Sequence, residues 1–168
     1  RDILIVLHQM GNHGPAYYKR YPKEFEKFTP VCKTNQLENC TGEEINNAYD
    51  NAILYTDYFL SKTINFLKKY ENTHETGMLY VSDHGESLGE NGIYLHGMPY
   101  AIAPKEQIKV ASLIWLGDGQ MAHEYDKSKI KDNKDKEYSH DNLFDTLLGL
   151  FEVKTEVYKK DLDILYDA

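Results

Sequence analysis

Three short apolar runs rich in branched residues stand out along the chain. They are Ile3–Leu7, Met78–Val81 and Lys109–Leu116, and long polar or mixed segments separate them. Apolar runs of this length, with little alternation, are typical of strands that are buried on both faces of a parallel sheet. We therefore predict a strand at each of the three positions.

Two other segments have the spacing of amphipathic helices. Thr41 and Glu44 fit a capping box, in which each side chain bonds the backbone N–H of the other residue. Apolar residues then recur at helical spacing as far as the polar segment 69–72: Ile45, Ala48, Tyr49, Ala52, Ile53, Phe59, Leu60, Ile64 and Leu67. A second helix is predicted after Ser139 as N-cap, with a buried face formed by Leu143, Phe144, Leu147, Leu148 and Phe151.

The order of these elements indicates the fold class. Strand, helix and strand joined by a long crossover are typical of an α/β protein with a mainly parallel central sheet flanked by helices. Gly117 and Gly119 indicate a turn after the third strand. The pattern weakens after Thr155, where we expect a final edge strand or a loose end. The 168 residues suit one domain, and no boundary or internal repeat is evident.

Charge and hydropathy exclude two classes of protein. The net charge of −8 argues against a nucleic-acid-binding protein, because phosphate backbones select basic surfaces. The longest nearly apolar run, Val110–Leu116, is far shorter than the roughly 20 residues of a membrane-spanning helix. The stretch from Lys127 to Lys136 mixes lysines with Asp and Asn, which predicts a solvated loop rather than a lipid-binding patch.

The start of the chain suggests a fragment. It opens with Arg-Asp-Ile-Leu-Ile-Val, inside an apolar strand and without a start methionine or leader. We therefore expect that elements preceding Arg1 are missing, including any membrane anchor. A sheet without its first strand would expose an edge, so we also expect the isolated chain to be poorly stable.

Cys32 and Cys40 flank the polar segment Lys33–Asn39. Two cysteines that close a short loop fit a disulfide and an oxidising compartment. The alternative is two unrelated buried thiols in a cytosolic protein. Neither cysteine lies in an apolar strand or in a Cys-x-x-Cys redox motif, so we favour the disulfide.

Histidines and carboxylates follow two of the predicted strands. The first strand leads to His8 and His13, the second leads to Asp83, His84 and Glu86, and His96 follows twelve residues after His84. Ligands of open α/β sheets lie at the carboxyl ends of the strands. Imidazole and carboxylate are usual ligands of zinc, so the sequence predicts a zinc site, provided that the adjacent Asp83 and His84 lie in a turn.

Other interpretations of these residues exist. A single histidine near a strand end is more often a structural residue than a ligand, and it is the combination that favours a site. Glu86 could equally bind backbone amides. His74 and His123 are expected at the surface, and His140 is interpreted as a capping or packing residue.

Five segments together resemble one enzyme family: His8–Pro22, Tyr49–Asn51, Ser82–Gly89, Gly92–Gly97 and Ser139–Phe144. Their order and spacing, together with the two cysteines, are similar to the phosphoethanolamine transferases that modify lipid A in Gram-negative envelopes. That family belongs to the alkaline phosphatase and sulfatase superfamily. The Asp-His-Gly motif is shared by the whole superfamily, whereas the His-Gly-Pro segment with its tyrosines and the His-Gly loop are specific.

The resemblance implies a site and a location. It places one tightly bound zinc ion on Asp83 and His84, and it places His13 and His96 at the phosphate or at further zinc ions, with His8 nearby. Glu86 is a further candidate for a second metal or the phosphate. A zinc-binding Glu and a nucleophilic Thr would precede His8, outside this chain. Residues 1–168 would then form the C-terminal part of a periplasmic catalytic domain, anchored by upstream helices in the inner membrane.

The expected activity follows from the same resemblance. A monomeric enzyme would transfer phosphoethanolamine from phosphatidylethanolamine to lipid A or the core sugar of lipooligosaccharide, through a phosphoenzyme on the upstream Thr. His13, His96 and His8 are the candidate catalytic residues within this chain. One alternative is a sulfatase or phosphodiesterase of the same superfamily, which would hydrolyse a soluble ester. The other is a non-catalytic periplasmic zinc-binding domain.

Overall fold

A computed structural model describes residues 2–167 and divides them into two compact units. Residues 6–66 and 78–114 form one unit, called the histidine unit below. Residues 2–5, 67–77 and 115–167 form the other, called the tail unit. The sequence shows no such boundary, because each unit is assembled from separate stretches of the chain.

The longest element is helix α1, Gly42–Leu67. The predicted capping box starts it: the Thr41 N–H donates to the Glu44 carboxylate at 2.8 Å, and the Glu44 N–H donates to Thr41 Oγ1 at 3.2 Å. Ile45 and Ala48 of its first half are buried together with Tyr17, Cys32 and Leu37. This cluster is the core of the histidine unit.

The predicted apolar face of α1 is only partly buried. Ala52 is 1% exposed, but Ile53, which was expected in the core, is 46% exposed. The buried positions of α1 are Ile45, Ala48, Asn51, Ala52 and Thr56. Ile53 lies about 100° around the helix from Ala52. Phe59, Leu60, Ile64 and Leu67 are partly buried.

The predicted disulfide is present between Cys32 and Cys40, with 5.7 Å between their Cα atoms. The loop that it closes contains a short 3-10 helix, Leu37–Asn39, in which Leu37 is buried. The Cys32 N–H also donates to the carbonyl of Glu44 at 3.0 Å. The disulfide loop is therefore fastened to the first turn of α1.

Two pairs of strands are formed. Strands β1 (Gly77–Val81) and β4 (Ser112–Leu116) share one sheet, and β2 (Ser87–Leu88) pairs with β3 (Tyr94–Leu95) in the other. The β2–β3 pair is antiparallel. Beside β1 and β4, Ser82 bonds Ala111 and Gly117 bonds Thr76, which is an antiparallel register. Both sheets within residues 2–167 are thus antiparallel, whereas the sequence analysis expected a mainly parallel arrangement.

The first predicted strand differs from the expectation. Residues 3–7 belong to no strand among the described residues, and their side chains are 56–79% exposed. The predicted strands at Met78–Val81 and Lys109–Leu116 are confirmed, although the latter begins only at Ser112. An apolar pattern predicts a strand, but a strand forms only when another backbone pairs with it.

The remaining helices are short. They are α2 (Lys105–Ile108), α3 (Lys127–Asp132) and α4 (Asp141–Leu150), with 3-10 helices at Tyr17–Lys19, Lys23–Phe25, Glu90–Gly92, Gln120–His123 and Lys160–Leu162. No helix within residues 2–167 has the length and apolar composition of a membrane span.

Two of these helices, α3 and α4, differ from the prediction. The stretch predicted as a loop from Lys127 forms α3, because the Asp126 side chain accepts the Ser128 N–H and caps its start. Helix α4 has His140 rather than Ser139 at its N-cap, and His140 makes no side-chain capping bond. Phe144 is 58% exposed, since the buried side of α4 holds polar residues that bind the tail.

The tail after Thr155 is neither an edge strand nor a loose end. Its backbone is bound by three side chains of α4: Asn142 donates to the Leu162 carbonyl at 2.9 Å, Asp145 accepts the Lys159 N–H at 2.6 Å, and Thr146 accepts the Ile164 N–H at 3.0 Å. Leu165 is 2% exposed. Side chains, rather than a strand ladder, fix this segment.

Candidate metal and phosphate site

Three loops of the histidine unit bring His13, His84 and His96 together. His84 follows β1, His96 follows β3, and His13 lies in the loop before the 3-10 helix Tyr17–Lys19. One ring nitrogen of each lies within 4.8 Å of those of the other two. The ring centroids of His84 and His96 are 3.8 Å apart, and those of His13 and His96 are 4.9 Å apart. The cluster can hold a metal ion.

All three rings have the same tautomer. His13 Nδ1 lies 2.7 Å from the Gly14 carbonyl oxygen, and His84 Nδ1 lies 3.0 Å from that of Gly85. A carbonyl oxygen only accepts hydrogen bonds, so each Nδ1 carries the proton. His96 Nδ1 lies 3.1 Å from Glu86 Oε1, which also accepts. In the neutral form of each ring, Nε2 then carries the lone pair that can bind a ligand.

Glu86 lies beneath this cluster, with its side chain only 4% exposed. Its Oε1 also accepts the Gly14 N–H at 3.0 Å, and its Oε2 accepts the Tyr17 hydroxyl at 3.3 Å. Register explains the contact with His96. Ser87 pairs with Leu95 in the β2–β3 hairpin, so the residues before and after them, Glu86 and His96, face each other.

The charge of Glu86 affects two tyrosines, the buried Tyr17 and the half-buried Tyr49. Burial, followed by the charge of Glu86, raises the pKa of Tyr17 far above its ordinary value. The same two causes raise the pKa of Tyr49, whose ring meets that of Tyr17 edge to face at 5.4 Å. Tyr17 therefore keeps its proton and remains a hydrogen-bond donor to Glu86.

Asp83 lies at the solvent side of the cluster, with its side chain 80% exposed. Its Oδ2 is 3.9 Å from His84 Nε2. Two ligands of one tetrahedral zinc ion are about 3.4 Å apart, given metal–ligand bonds of about 2.1 Å. A shift of about half an ångström would let Asp83 and His84 bind one ion, so the donor types and their spacing fit zinc. Asp83 lies in a bend just after β1, and His84 follows it outside any helix or strand.

Glycines allow this turn to pack closely. A Cβ on Gly85 would lie 2.0 Å from the carbonyl oxygen of Glu106, and the Gly85 N–H donates to the Gln107 carbonyl at 3.0 Å. The Gln107 side chain, in turn, donates to Ser87 Oγ at 3.0 Å. The turn that carries His84 is therefore held against α2 by backbone contacts that no larger residue would permit.

The loop that carries His13 is anchored by residues that the sequence analysis did not single out. Asn12 donates to the Tyr49 carbonyl at 3.2 Å and accepts from Thr56 Oγ1 at 3.1 Å, so it binds the loop to α1. Arg20 Nε donates to the His13 carbonyl at 2.7 Å. Asn12 and Arg20 lie within the His8–Pro22 segment. Their closeness to His13 in the sequence was the only indication that they could anchor its loop.

The other candidate residues lie elsewhere. His8 is exposed and does not belong to the three-histidine cluster. His74 and His123 are exposed, as predicted. The structure thus brings together His13, His84, His96, Asp83 and Glu86 from the predicted set.

Comparison with known proteins places this site in a family. The sulfatase family profile matches residues 1–153. The chain belongs to the sulfatase family. It is also 52% identical, over 166 residues, to the phosphoethanolamine transferase EptA of Escherichia coli K12; the match covers 98% of this chain and 30% of that protein.

Solved structures agree with this membership. The C-terminal periplasmic domain of phosphoethanolamine transferase EptC from Campylobacter jejuni matches with a TM-score of 0.85 and 52% identity, covering 94% of this chain and 49% of that one. The soluble domain of lipooligosaccharide phosphoethanolamine transferase A from Neisseria meningitidis matches with a TM-score of 0.91 and 45% identity, covering 95% and 48%. The sulfatase-like α/β fold is confirmed, and the chain spans about half of these domains.

Proposed function

We propose that this chain is part of the catalytic domain of a zinc-dependent phosphoethanolamine transferase that acts on lipid A or on the core of lipooligosaccharide. The observation that carries the proposal is the convergence of His13, His84 and His96 in a chain 52% identical to a phosphoethanolamine transferase. The solved relative from Campylobacter jejuni is a periplasmic domain, which supports a periplasmic location and agrees with the disulfide.

Zinc would be held by Asp83 and His84, with His13 and His96 at the phosphate or at a second ion. When bound, zinc supplies positive charge that lowers the pKa of the attacking hydroxyl and neutralises charge on the phosphoryl oxygens. The donor set supports this assignment, because carboxylate and imidazole nitrogen are usual zinc ligands.

The reaction would proceed in two transfers. A Thr oxygen from the remainder of the domain attacks the phosphorus of phosphatidylethanolamine, and the bond to diacylglycerol breaks. An oxygen of the acceptor then attacks the same phosphorus, and the bond to Thr breaks. Protonated His13 or His96 would donate hydrogen bonds to the phosphoryl oxygens or a proton to the departing oxygen.

The remainder of the domain would also supply the Glu ligand and cover residues 3–7, and helices upstream would anchor the whole in the inner membrane. Two observations support this part of the proposal. The chain spans only 30% of the Escherichia coli relative. The five apolar side chains from Ile3 to Leu7 are all more than half exposed, as expected for a strand that lacks its neighbours.

The test is mass spectrometry of lipid A and core from Gram-negative cells that express the full-length gene, its His84→Ala variant, or its His74→Ala variant as control. We expect a phosphoethanolamine addition with the wild type and with His74→Ala, and none with His84→Ala. His96→Ala should lower the rate roughly 100- to 1000-fold, the value of one lost oxyanion donor.

Family membership alone would also suit a sulfatase or phosphodiesterase. If the wild-type protein binds zinc but adds no phosphoethanolamine, and it hydrolyses a soluble sulfate ester or phosphodiester, the hydrolase interpretation replaces the proposal. Zinc binding without either activity would instead indicate a non-catalytic zinc-binding domain.

A further inference from the structure

We infer that Glu86 is a positioning residue that orients His96 and the His13 turn together, and that it does not itself bind metal. The inference deepens the proposed function and rests on it for the transfer assay. It departs from the sequence analysis, in which Glu86 was a candidate for a second metal or the phosphate.

The occupied lone pairs of the carboxylate give the first argument. A carboxylate offers about four acceptor sites, two on each oxygen. Oε1 accepts from both the Gly14 N–H and His96 Nδ1, and Oε2 accepts from the Tyr17 hydroxyl. The Glu86 side chain is 4% exposed and already accepts hydrogen bonds from three donors. A charge buried this deeply is tolerated only with such partners.

Connectivity gives the second argument. Gly14 directly follows His13, so the bond to its N–H fixes the turn that carries the His13 ring. The bond to His96 Nδ1 fixes the other ring and leaves its Nε2 as the nitrogen available to a ligand. One carboxylate therefore sets the relative placement of two histidines that come from distant parts of the chain, as carboxylates behind metal-binding histidines commonly do.

The surroundings leave little room for compensation. A Cβ on Gly14 would lie 2.6 Å from the Leu95 side chain and 2.7 Å from the Tyr17 hydroxyl oxygen. The backbone at Gly14 is thus packed closely against the side chains of Leu95 and Tyr17. Removing the carboxylate would leave the Gly14 N–H, His96 Nδ1 and the Tyr17 hydroxyl without an acceptor in a closed space.

The amide variant separates positioning from metal binding. Glu86→Gln keeps one acceptor oxygen for Gly14 and His96, and its amide nitrogen can donate to the Tyr17 oxygen. An amide is not among the usual zinc ligands. Glu86→Gln therefore preserves a positioning role and abolishes a ligand role, whereas Glu86→Ala abolishes both.

The experiment uses the purified full-length protein. Zinc affinity is measured by competition with a chromophoric chelator, and kcat and KM are measured for transfer from phosphatidylethanolamine. We expect Glu86→Ala to lower kcat roughly 10- to 100-fold, the usual cost of losing such a partner, with a smaller change in KM. Glu86→Gln should keep the zinc affinity of the wild type and should lower kcat less than Glu86→Ala does.

Two results would overturn the inference. Loss of zinc in Glu86→Gln to the same extent as in Glu86→Ala would make Glu86 a metal ligand. If the Glu86→Ala protein folds and keeps the kcat of the wild type, Glu86 has no positioning role. If Glu86→Ala does not fold, Tyr17→Phe replaces it: the loss of one of three donors should lower kcat about fivefold, the value of one hydrogen bond, and unchanged kcat would count against positioning.

Failure of the proposed function remains distinguishable. If the wild type binds zinc but transfers no phosphoethanolamine, the function is wrong, and the zinc affinities of Glu86→Gln and Glu86→Ala still decide whether Glu86 is a ligand.

Discussion

The segment 3–7 and the segment 155–167 differ in a way that their sequences do not suggest. The first has the apolar, branched composition of a buried strand, yet its side chains are 56–79% exposed. The second has a weak pattern, yet Asn142, Asp145 and Thr146 bind its backbone and Leu165 is buried. The difference shows that the composition of a segment does not decide whether it is buried. Burial also requires other residues that bind the segment.

The nature of the partner explains the contrast. A strand needs another backbone in register along its length, and no described residue supplies one for 3–7. The tail needs only polar side chains at suitable positions, and α4 places three of them on the face toward the tail. Four predictions test this contrast, from the largest effect to the smallest.

Gly149→Ala should detach the tail. A Cβ on Gly149 would lie 2.0 Å from Asp163 Oδ2, and that carboxylate also accepts from the Tyr158 hydroxyl and the Leu165 N–H. We expect the free energy of unfolding to fall by about 2–3 kcal/mol, as for other overpacked sites, in urea unfolding of the purified protein.

The matched control is Gly42→Ala in α1, where no atom lies within 4 Å of the added Cβ. This change should be neutral or stabilise by up to about 1 kcal/mol, the difference in helix propensity. Equal destabilisation by the two substitutions would contradict the role of Asp163.

Thr146→Val should weaken the same attachment. The Thr146 hydroxyl donates to the Asn142 carbonyl at 2.7 Å and accepts the Ile164 N–H, and the residue is fully buried. Loss of these bonds should cost about 1–2 kcal/mol in the free energy of unfolding. Thr155→Val, at an exposed position, serves as the control, and an identical loss there would argue against a specific bond.

Ile5→Lys distinguishes the first segment from the second. In the 168-residue chain Ile5 is 67% exposed, so the free energy of unfolding should change by less than about 0.5 kcal/mol. If residues 3–7 pair inside a longer domain, the same change in the full-length protein should cost several kcal/mol by burying a charge. Equally small effects in both proteins would mean that the segment stays exposed.

The smallest expected effect is on pH dependence. Burial, followed by the charge of Asp163, raises the pKa of Tyr125 to about 12 from an ordinary value of 10.0. The unfolded chain therefore ionises first, so this contribution to stability is present below about pH 10 and is lost as the pH rises towards about 12. Tyr125→Phe should flatten the alkaline fall of the urea midpoint slightly, because solvent screens a half-buried group. If the urea midpoint of Tyr125→Phe falls with rising pH as steeply as that of the wild type, Tyr125 does not contribute to the alkaline loss of stability.

The sequence predicted local features better than their assembly. The capping box of Thr41 and Glu44 and the Cys32–Cys40 disulfide each depend on residues close in the sequence, and each is present. The rule about strand ends accounts for the position of His84, which follows β1, whereas the predicted strand before His13 does not form and β3 before His96 was not predicted. Strand direction, the burial of the tail and the carboxylate beneath His96 depend on residues far apart, and no local pattern encodes them.

Glu86 illustrates that limit. Its neighbours in the sequence suggested a ligand or an amide-binding group, and the amide interpretation proved nearer to the observed contact with the Gly14 N–H. Its link to His96 follows from the register of a hairpin with only two residues in each strand. Such short strands carry too few residues for a period-2 pattern to be detected.

The turn at Gly85 has a consequence for interpreting natural variants of this gene. The atom that any side chain there would strike is a backbone oxygen, that of Glu106, which cannot rotate away as a side chain could. Any amino-acid substitution at position 85 should therefore displace the backbone that carries His84, whereas a third-base change in the codon leaves the glycine unchanged. Among natural variants of this gene, a substitution of Gly85 would therefore mark a candidate site whose histidines are displaced, even where His13, His84 and His96 are all kept.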